Sequence, residues 1–211
     1  TLPGSRYTQV SMRKKFDVDS QTIDAVDGAG VSVLRRGPAC SPRSLLLTAA
    51  SKGSVLVVIP TLNRARIMAA SLRESGLSVA VMPGDWAVAA GGVDVVIGAR
   101  SAVWSSAPML KSIVVIDEHD DALQEERSPS WHARDVAIER ANKLGIACIL
   151  VSPVPSLRAL HGVAGLVASL DPATEASHWP QIQVVDRRLD ERWSSSMGNC
   201  RSQELGMSST G

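Results

Sequence analysis

Cysteine is scarce in this sequence and shows no pairing pattern. Cys40, Cys148 and Cys200 are odd in number, far apart and outside C-x-x-C spacing. That argues against a disulfide framework or a zinc site and for reduced thiols in a cytoplasm. No apolar run is long enough to span a bilayer, and the first residues lack the basic–apolar–small order of a secretory signal. A cytoplasmic protein with no membrane partner is therefore expected. Neither sign of charge dominates: 22 Lys and Arg against 21 Asp and Glu leave a net charge of +1. Such a balance neither demands nor excludes nucleic acid, because a few basic residues still make a local patch. Tyr and Phe occur once each beside five tryptophans, and no internal repeat is visible.

What is present suits a globular chain. A hydrophobic content of 45% and a charged content of 20% over 211 residues fit one domain with a substantial core. Residues 1–27 read as a polar, partly helical lead-in with a basic run, Arg13-Lys14-Lys15. An α/β rhythm then begins. Strands are predicted at 31–34, 55–59, 77–82, 93–97, 113–116 and 146–151, with a turn at Pro83-Gly84-Asp85. Helices are predicted from Pro42 to Lys52 (ended by Gly53), from Asn63 to Glu74 (capped near Gly76) and from Pro129 or Ser130 to Leu144 (closed by Gly145). Ser156 opens a short helix. Strands separated by helical segments argue for right-handed βαβ units and a mostly parallel sheet with helices on both faces. From Ser194 the chain is Ser/Gly/Met-rich and reads as a flexible end.

Several strands run into polar clusters. Val95-Val96-Ile97 leads into Gly98-Ala99-Arg100-Ser101, and Ile113-Val114-Val115-Ile116 leads into Asp117-Glu118-His119-Asp120. Residues just past the carboxyl ends of parallel strands line the ligand crevice of such a fold. Carboxylates there are what nucleotide-hydrolysing enzymes use to hold Mg²⁺ and orient the attacking water. Further along stand Pro129-Ser130-Trp131-His132-Ala133-Arg134-Asp135 and Ser152-Pro153-Val154-Pro155-Ser156.

In order and spacing these blocks resemble the first helicase lobe of the primosomal protein N-prime family, the PriA replication-restart helicases. The family pattern runs G-T-R-S, D-E-E-H-D, P-R-Y-H-A-R-D and S-A-T-P-S. The resemblance covers roughly residues 28 to 190, and actinobacterial-type members of the family look similarly degenerate in the nucleotide motifs. It implies a RecA-like lobe of the P-loop NTPase type over residues 28–193. It further implies branched or single-stranded DNA and primosome proteins as partners, and ATP with Mg²⁺ as the family's cofactors. The family's zinc-binding insertion and second lobe lie outside these residues.

The nucleotide motifs depart from the family. A gapless count from Lys52 puts Gly37-Pro38-Ala39 where Gly-Lys-Thr should stand. Pro38 brings neither charge nor N–H, and Ala39 no hydroxyl. Arg35 and Arg36 offer charge nearby, or are simply solvated. The same count sets Ile116, Asp117, Glu118 and His119 over the family's Asp, Glu, Glu and His. A one-residue slip restores Asp117 as the metal ligand and Glu118 as the water-orienting base; a solvated acidic loop is the alternative. Asp117, His119 and His132 suit a divalent ion chemically, but not at the spacing of a dedicated site.

Arg100 and Ser101 suit a nucleic-acid phosphate, a bidentate fork beside a neutral donor, unless Arg100 pairs with a local acid such as Asp94. Thr61 sits at the matching strand end, where it also makes an ordinary helix start. His132, Arg134 and Ser152 fall on the segments that would couple nucleotide state to DNA grip. His132 packing against Trp131 is the plainer reading. Trp86, Trp104 and Trp131 read as packing residues, with base stacking as the alternative. The expected function is a DNA-binding replication-restart protein without helicase or ATPase activity. Two alternatives stand beside it: an active ATP-dependent 3′–5′ DNA helicase, and a docking module that binds neither ATP nor DNA.

Overall fold

The computed structural model describes residues 19–161, 167–180 and 182. The chain divides into two units, Thr1–Trp179 and Pro180–Gly211, and the first is described below. The reading of residues 194–211 as a flexible end, and most of the lead-in, lie outside the described residues.

The elements alternate as expected. Helix α1 (Ser20–Asp27) starts at Asp19, whose side chain accepts the Thr22 N–H, and leads to β1 (Gly30–Arg35). Then come α2 (Arg43–Lys52), β2 (Ser54–Val58), α3 (Leu62–Glu74), β3 (Val79–Val81), α4 (Trp86–Ala90) and β4 (Val95–Gly98). A 3₁₀ turn at Arg100–Trp104 joins β4 to β5 (Leu110–Ile116). The short strands β6 (Gln124–Glu125) and β7 (Trp131–His132) pair antiparallel before α5 (Ala133–Leu144). The described part closes with β8 (Ala147–Ser152), α6 (Leu157–His161), β9 (Val167–Ser169) and α7 (Pro172–Ser177).

Seven strands form one sheet in the order β3-β4-β2-β5-β8-β1-β9, and every pairing is parallel. The fold is α/β, with the parallel sheet and flanking helices of a RecA-like lobe. β2, β5 and β8 are buried along nearly their whole length, as strands covered on both faces must be. Alternation along β2 sends Val55 and Val57 to one face and Leu56 and Val58 to the other, the period of two a strand imposes. The first face packs Ala25 and Val26 of α1, Leu45 to Leu47 of α2 and Ala65, Ala69 and Leu72 of α3. The second packs Ala102 and Val103 of the 3₁₀ turn and Ala133, Ala137 and Ala141 of α5.

One helix start departs from expectation. The helix expected from Pro129 or Ser130 begins at Ala133 instead. Trp131 and His132 stay extended because they pair with Glu125 and Gln124, and the His132 ring serves as the N-cap, accepting the Arg134 N–H at 3.1 Å. Its far end matches expectation, at Gly145 with φ 64°. The strand expected over 77–82 pairs only through Val79–Val81. The helices α4 and α7 and the edge strand β9 were not anticipated.

Candidate functional site

An all-parallel sheet puts the carboxyl ends of its strands along one edge. That edge carries the loop after β1 (35–40), Thr61 after β2, Arg100 and Ser101 after β4, Asp117 to Asp120 after β5 and Ser152 to Ser156 after β8. The polar clusters singled out in the sequence thus converge in space.

The acidic cluster is held by structural partners throughout. Ile116 is 4% exposed and packs into the core, so the position that the gapless count gives to the first acid holds hydrocarbon. Asp117 has a left-handed backbone (φ 51°) and forms an ion pair with Arg64 of α3. Glu118 is wholly buried. Its Oε1 accepts the Ser156 N–H at 2.6 Å, and its Oε2 accepts the Ser156 hydroxyl and Arg134 Nη1, both at 2.9 Å. Arg134 also donates to Asp135, whose other oxygen meets Arg158. His119 Nδ1 lies 2.7 Å from Ser152 Oγ, and Asp120 caps the short turn Asp121–Leu123. Buried carboxylates require such partners. The result is one network that ties the end of β5 to the starts of α5 and α6. Among the described residues, no three His, Cys, Asp or Glu side chains are grouped as a metal site would need.

The loop after β1, where the family would cradle phosphates, is covered by the chain itself. The Ala39 N–H donates to the His178 carbonyl at 3.1 Å, and the Cys40 N–H donates to the Gly37 carbonyl at 2.9 Å. A Cβ on Gly37 would lie 2.5 Å from His178 Cβ, so only glycine lets the end of α7 approach so closely. Arg35 meets Glu175 of α7 at 2.8 Å, as an ion pair rather than an aligned hydrogen bond. Arg36 is buried against Asp19 (3.0 Å) and the Thr22 hydroxyl (3.4 Å). Both arginines are therefore held by acids of the same chain. Burial pushes the Cys40 thiol above its ordinary value.

On the nucleic-acid side, Arg100 pairs with Glu125 at 3.1 Å. Asp94, the partner considered from sequence, instead accepts the Ser78 N–H and hydroxyl. The Arg127 N–H, with Arg100 adding to it, holds the Glu125 carboxyl below its usual range. Ser101 is exposed. Gly98 makes this turn possible, since a Cβ there would lie 2.8 Å from Met82 Cβ and 2.9 Å from Ala102 Cβ. The Thr61 hydroxyl caps α3 by accepting the Arg64 N–H. His132 titrates below its ordinary value because burial disfavours the charged ring, and the Arg134 guanidinium adds to this. Trp131 stacks edge-on against Trp104, centroids 5.5 Å apart.

Comparison with curated proteins finds several replication restart proteins. The chain is 32% identical to the replication restart protein PriA of Bacillus subtilis (strain 168) over 127 residues, 58% of this chain and 16% of that protein. It is 31% identical to PriA of a Synechocystis species over 156 residues, 65% of this chain and 19% of that protein. With Haemophilus influenzae PriA it shares 39% over 69 residues, 33% of this chain and 10% of that protein. These matches support membership in the PriA replication restart family. It spans less than a fifth of the length of these PriA relatives. No protein-family model matches it.

The structure adds residues that sequence reading did not single out for the site. Arg64, Glu125 and His178 each hold a motif residue, and each lies far from its partner in sequence. Ser156, inside the Ser152–Ser156 motif, holds Glu118 and also accepts the Ala159 N–H at the start of α6.

Proposed function

We propose that this chain is a DNA-binding part of a replication-restart protein, with residues 28–193 as the lobe, and that it grips DNA without hydrolysing ATP. One observation carries the second half. The loop that would cradle phosphates spends the Ala39 N–H on the His178 carbonyl and seats Gly37 under His178. A phosphate needs free backbone donors and a cation there. The nearby cations are already bonded to Glu175 and Asp19.

DNA binding would use the same edge of the sheet. Arg100 is exposed enough to exchange Glu125 for a backbone phosphate, Ser101 adds a neutral donor, and Thr61 lies at the neighbouring strand end. Such contacts carry no base sequence. Ser152, His132 and Arg134 would stiffen this edge through the Glu118 network rather than relay a nucleotide signal. The partners proposed are branched or single-stranded DNA and primosome proteins, in the cytoplasm. ATP and Mg²⁺, which the family uses, are proposed to be unused here.

The docking-module reading draws on Val154 and Leu157, large apolar side chains exposed beside the Glu118 network. Fluorescence anisotropy with a labelled fork separates the two. Weak binding is expected, roughly in the 10⁻⁴–10⁻⁶ M range, falling with salt. Arg100→Ala should make the salt slope shallower by about one unit. An unchanged slope would make Arg100 structural, and no binding at low salt would leave the docking reading.

A further inference from the structure

We infer that Trp104 is a base-stacking contact for single-stranded DNA, placed one step beyond Arg100 and Ser101. The inference rests on the DNA-binding reading above. In the 3₁₀ turn Arg100–Trp104, side chains three residues apart eclipse one another. Ala102 and Val103 are fully buried, which leaves Ser101 and Trp104 together on the outer face. A rise of about 2 Å per residue separates them by roughly 6 Å along the turn. That spacing exceeds the rise of about 3.4 Å per nucleotide in a stacked duplex strand, so a base over the indole would belong to an extended, unstacked single strand. A phosphate held at Arg100 and Ser101 would then bring the next base over the indole.

The ring is exposed without being loose. Trp104 is 58% exposed, although an indole of this size contributes most when buried. Its edge-to-face contact with Trp131, at 79° between planes, fixes its orientation. The outer surface faces a groove of ≈ 780 Å³ that it shares with Pro108, Val136 and Leu144. Carboxylates on the α5 side would repel a nucleic acid if free, but Asp135 is paired with Arg134 and Arg158, and Glu139 with Lys143. Arg140 crosses from α5 to donate to the Val103 carbonyl at 2.6 Å, and it lines the same groove as Trp104. Aromatic platforms with adjacent cations bind single strands with little sequence preference.

The experiment uses the full chain with a fluorescein-labelled oligothymidylate and a duplex of equal length, each titrated over several salt concentrations. Trp104→Ala and Trp104→Leu should both loosen the single strand by about 5- to 100-fold. Both should leave the duplex, whose bases are already stacked, nearly unchanged. Trp104→Phe should retain most of the affinity. The salt slope should stay at the parent's value in all three, because no phosphate contact is lost. Trp104→Leu keeps an apolar side chain against Trp131 and decides the matter if Trp104→Ala does not fold. If Arg100→Ala weakens binding but the Trp104 variants bind oligothymidylate as the parent does, the stacking role is wrong and the DNA-binding reading stands. Equal losses on single strand and duplex overturn it as well. A parent that binds neither DNA overturns the DNA-binding reading itself.

Discussion

Arg134 Nη1 lies 2.9 Å from Glu118 Oε2, and the carboxylate it meets is wholly shielded from solvent. The most family-specific block of the sequence and its acidic cluster are thereby two halves of one buried ion pair. A buried pair contributes little over a hydrocarbon pair of the same shape, yet losing one member leaves an uncompensated charge. Arg134→Met should therefore destabilise the protein by about 3–5 kcal/mol, read as a lower urea midpoint at constant m. A change below roughly 1 kcal/mol would mean that Glu118 finds another partner.

Gly37→Ala should cost about 1–3 kcal/mol by overpacking against His178. Hydrogen exchange should localise the effect, because the Ala39 amide loses its carbonyl partner as α7 lifts away. Unchanged exchange at Ala39 would show that α7 does not sit on this loop in solution.

Nucleotide binding should not return when the lost side chains are restored. Pro38→Lys combined with Ala39→Thr supplies the missing charge and hydroxyl, yet His178 still covers Gly37 and takes the amide of residue 39. Isothermal titration with ATP and Mg²⁺ should show no binding to the parent or to this double variant. Binding by the double variant alone would mean that side-chain loss, not occupancy of the loop, excludes nucleotide.

His132 makes stability depend on pH in a stated direction. Its folded value lies below the ordinary 6.5, chiefly because it is buried. The unfolded chain therefore binds more protons than the folded one between those two values, and stability rises with pH across that window. The contribution is present in full above about 6.5, and it is lost as pH falls from there through the lower folded value. Protonation also removes the lone pair on Nδ1 that caps α5. His132→Asn keeps a capping acceptor without the titration. The melting temperature of the parent should fall more than that of the variant between pH 8 and pH 5, and parallel curves would refute this.

The strands β2, β4, β5 and β8 were legible because each is a β-branched apolar run buried on both faces. Such a run has one use in a parallel sheet. β9 was not legible: it is three residues long with only Ala168 buried, and it exists because β1 offers it an edge. The edge that gathers Arg100, Asp117 and Ser152 was legible, since polar clusters after parallel strands have to meet there. What each residue touches there was not. Arg100 found Glu125 rather than Asp94, and Glu118 turned inward to Arg134. Pairing across loops depends on backbone direction, which no local pattern encodes. The start of α5 misled in a related way: Trp131 and His132 are held extended by Glu125 and Gln124 across the β6–β7 pair.

The position of β1 in the sheet bears on how the chain assembles. Gly30 pairs with Ala147 and Val33 with Val167, so β1 is seated between two strands that are synthesised well after it. During translation β1 must wait, apolar and unpaired, until β8 and β9 have emerged. Loop-closure entropy across most of the sequence has to be overcome before those contacts form. Folding should accordingly be slow for a domain of this size. Until β1 is in place, the edge of β8 is the open template on which a second nascent chain can add a strand.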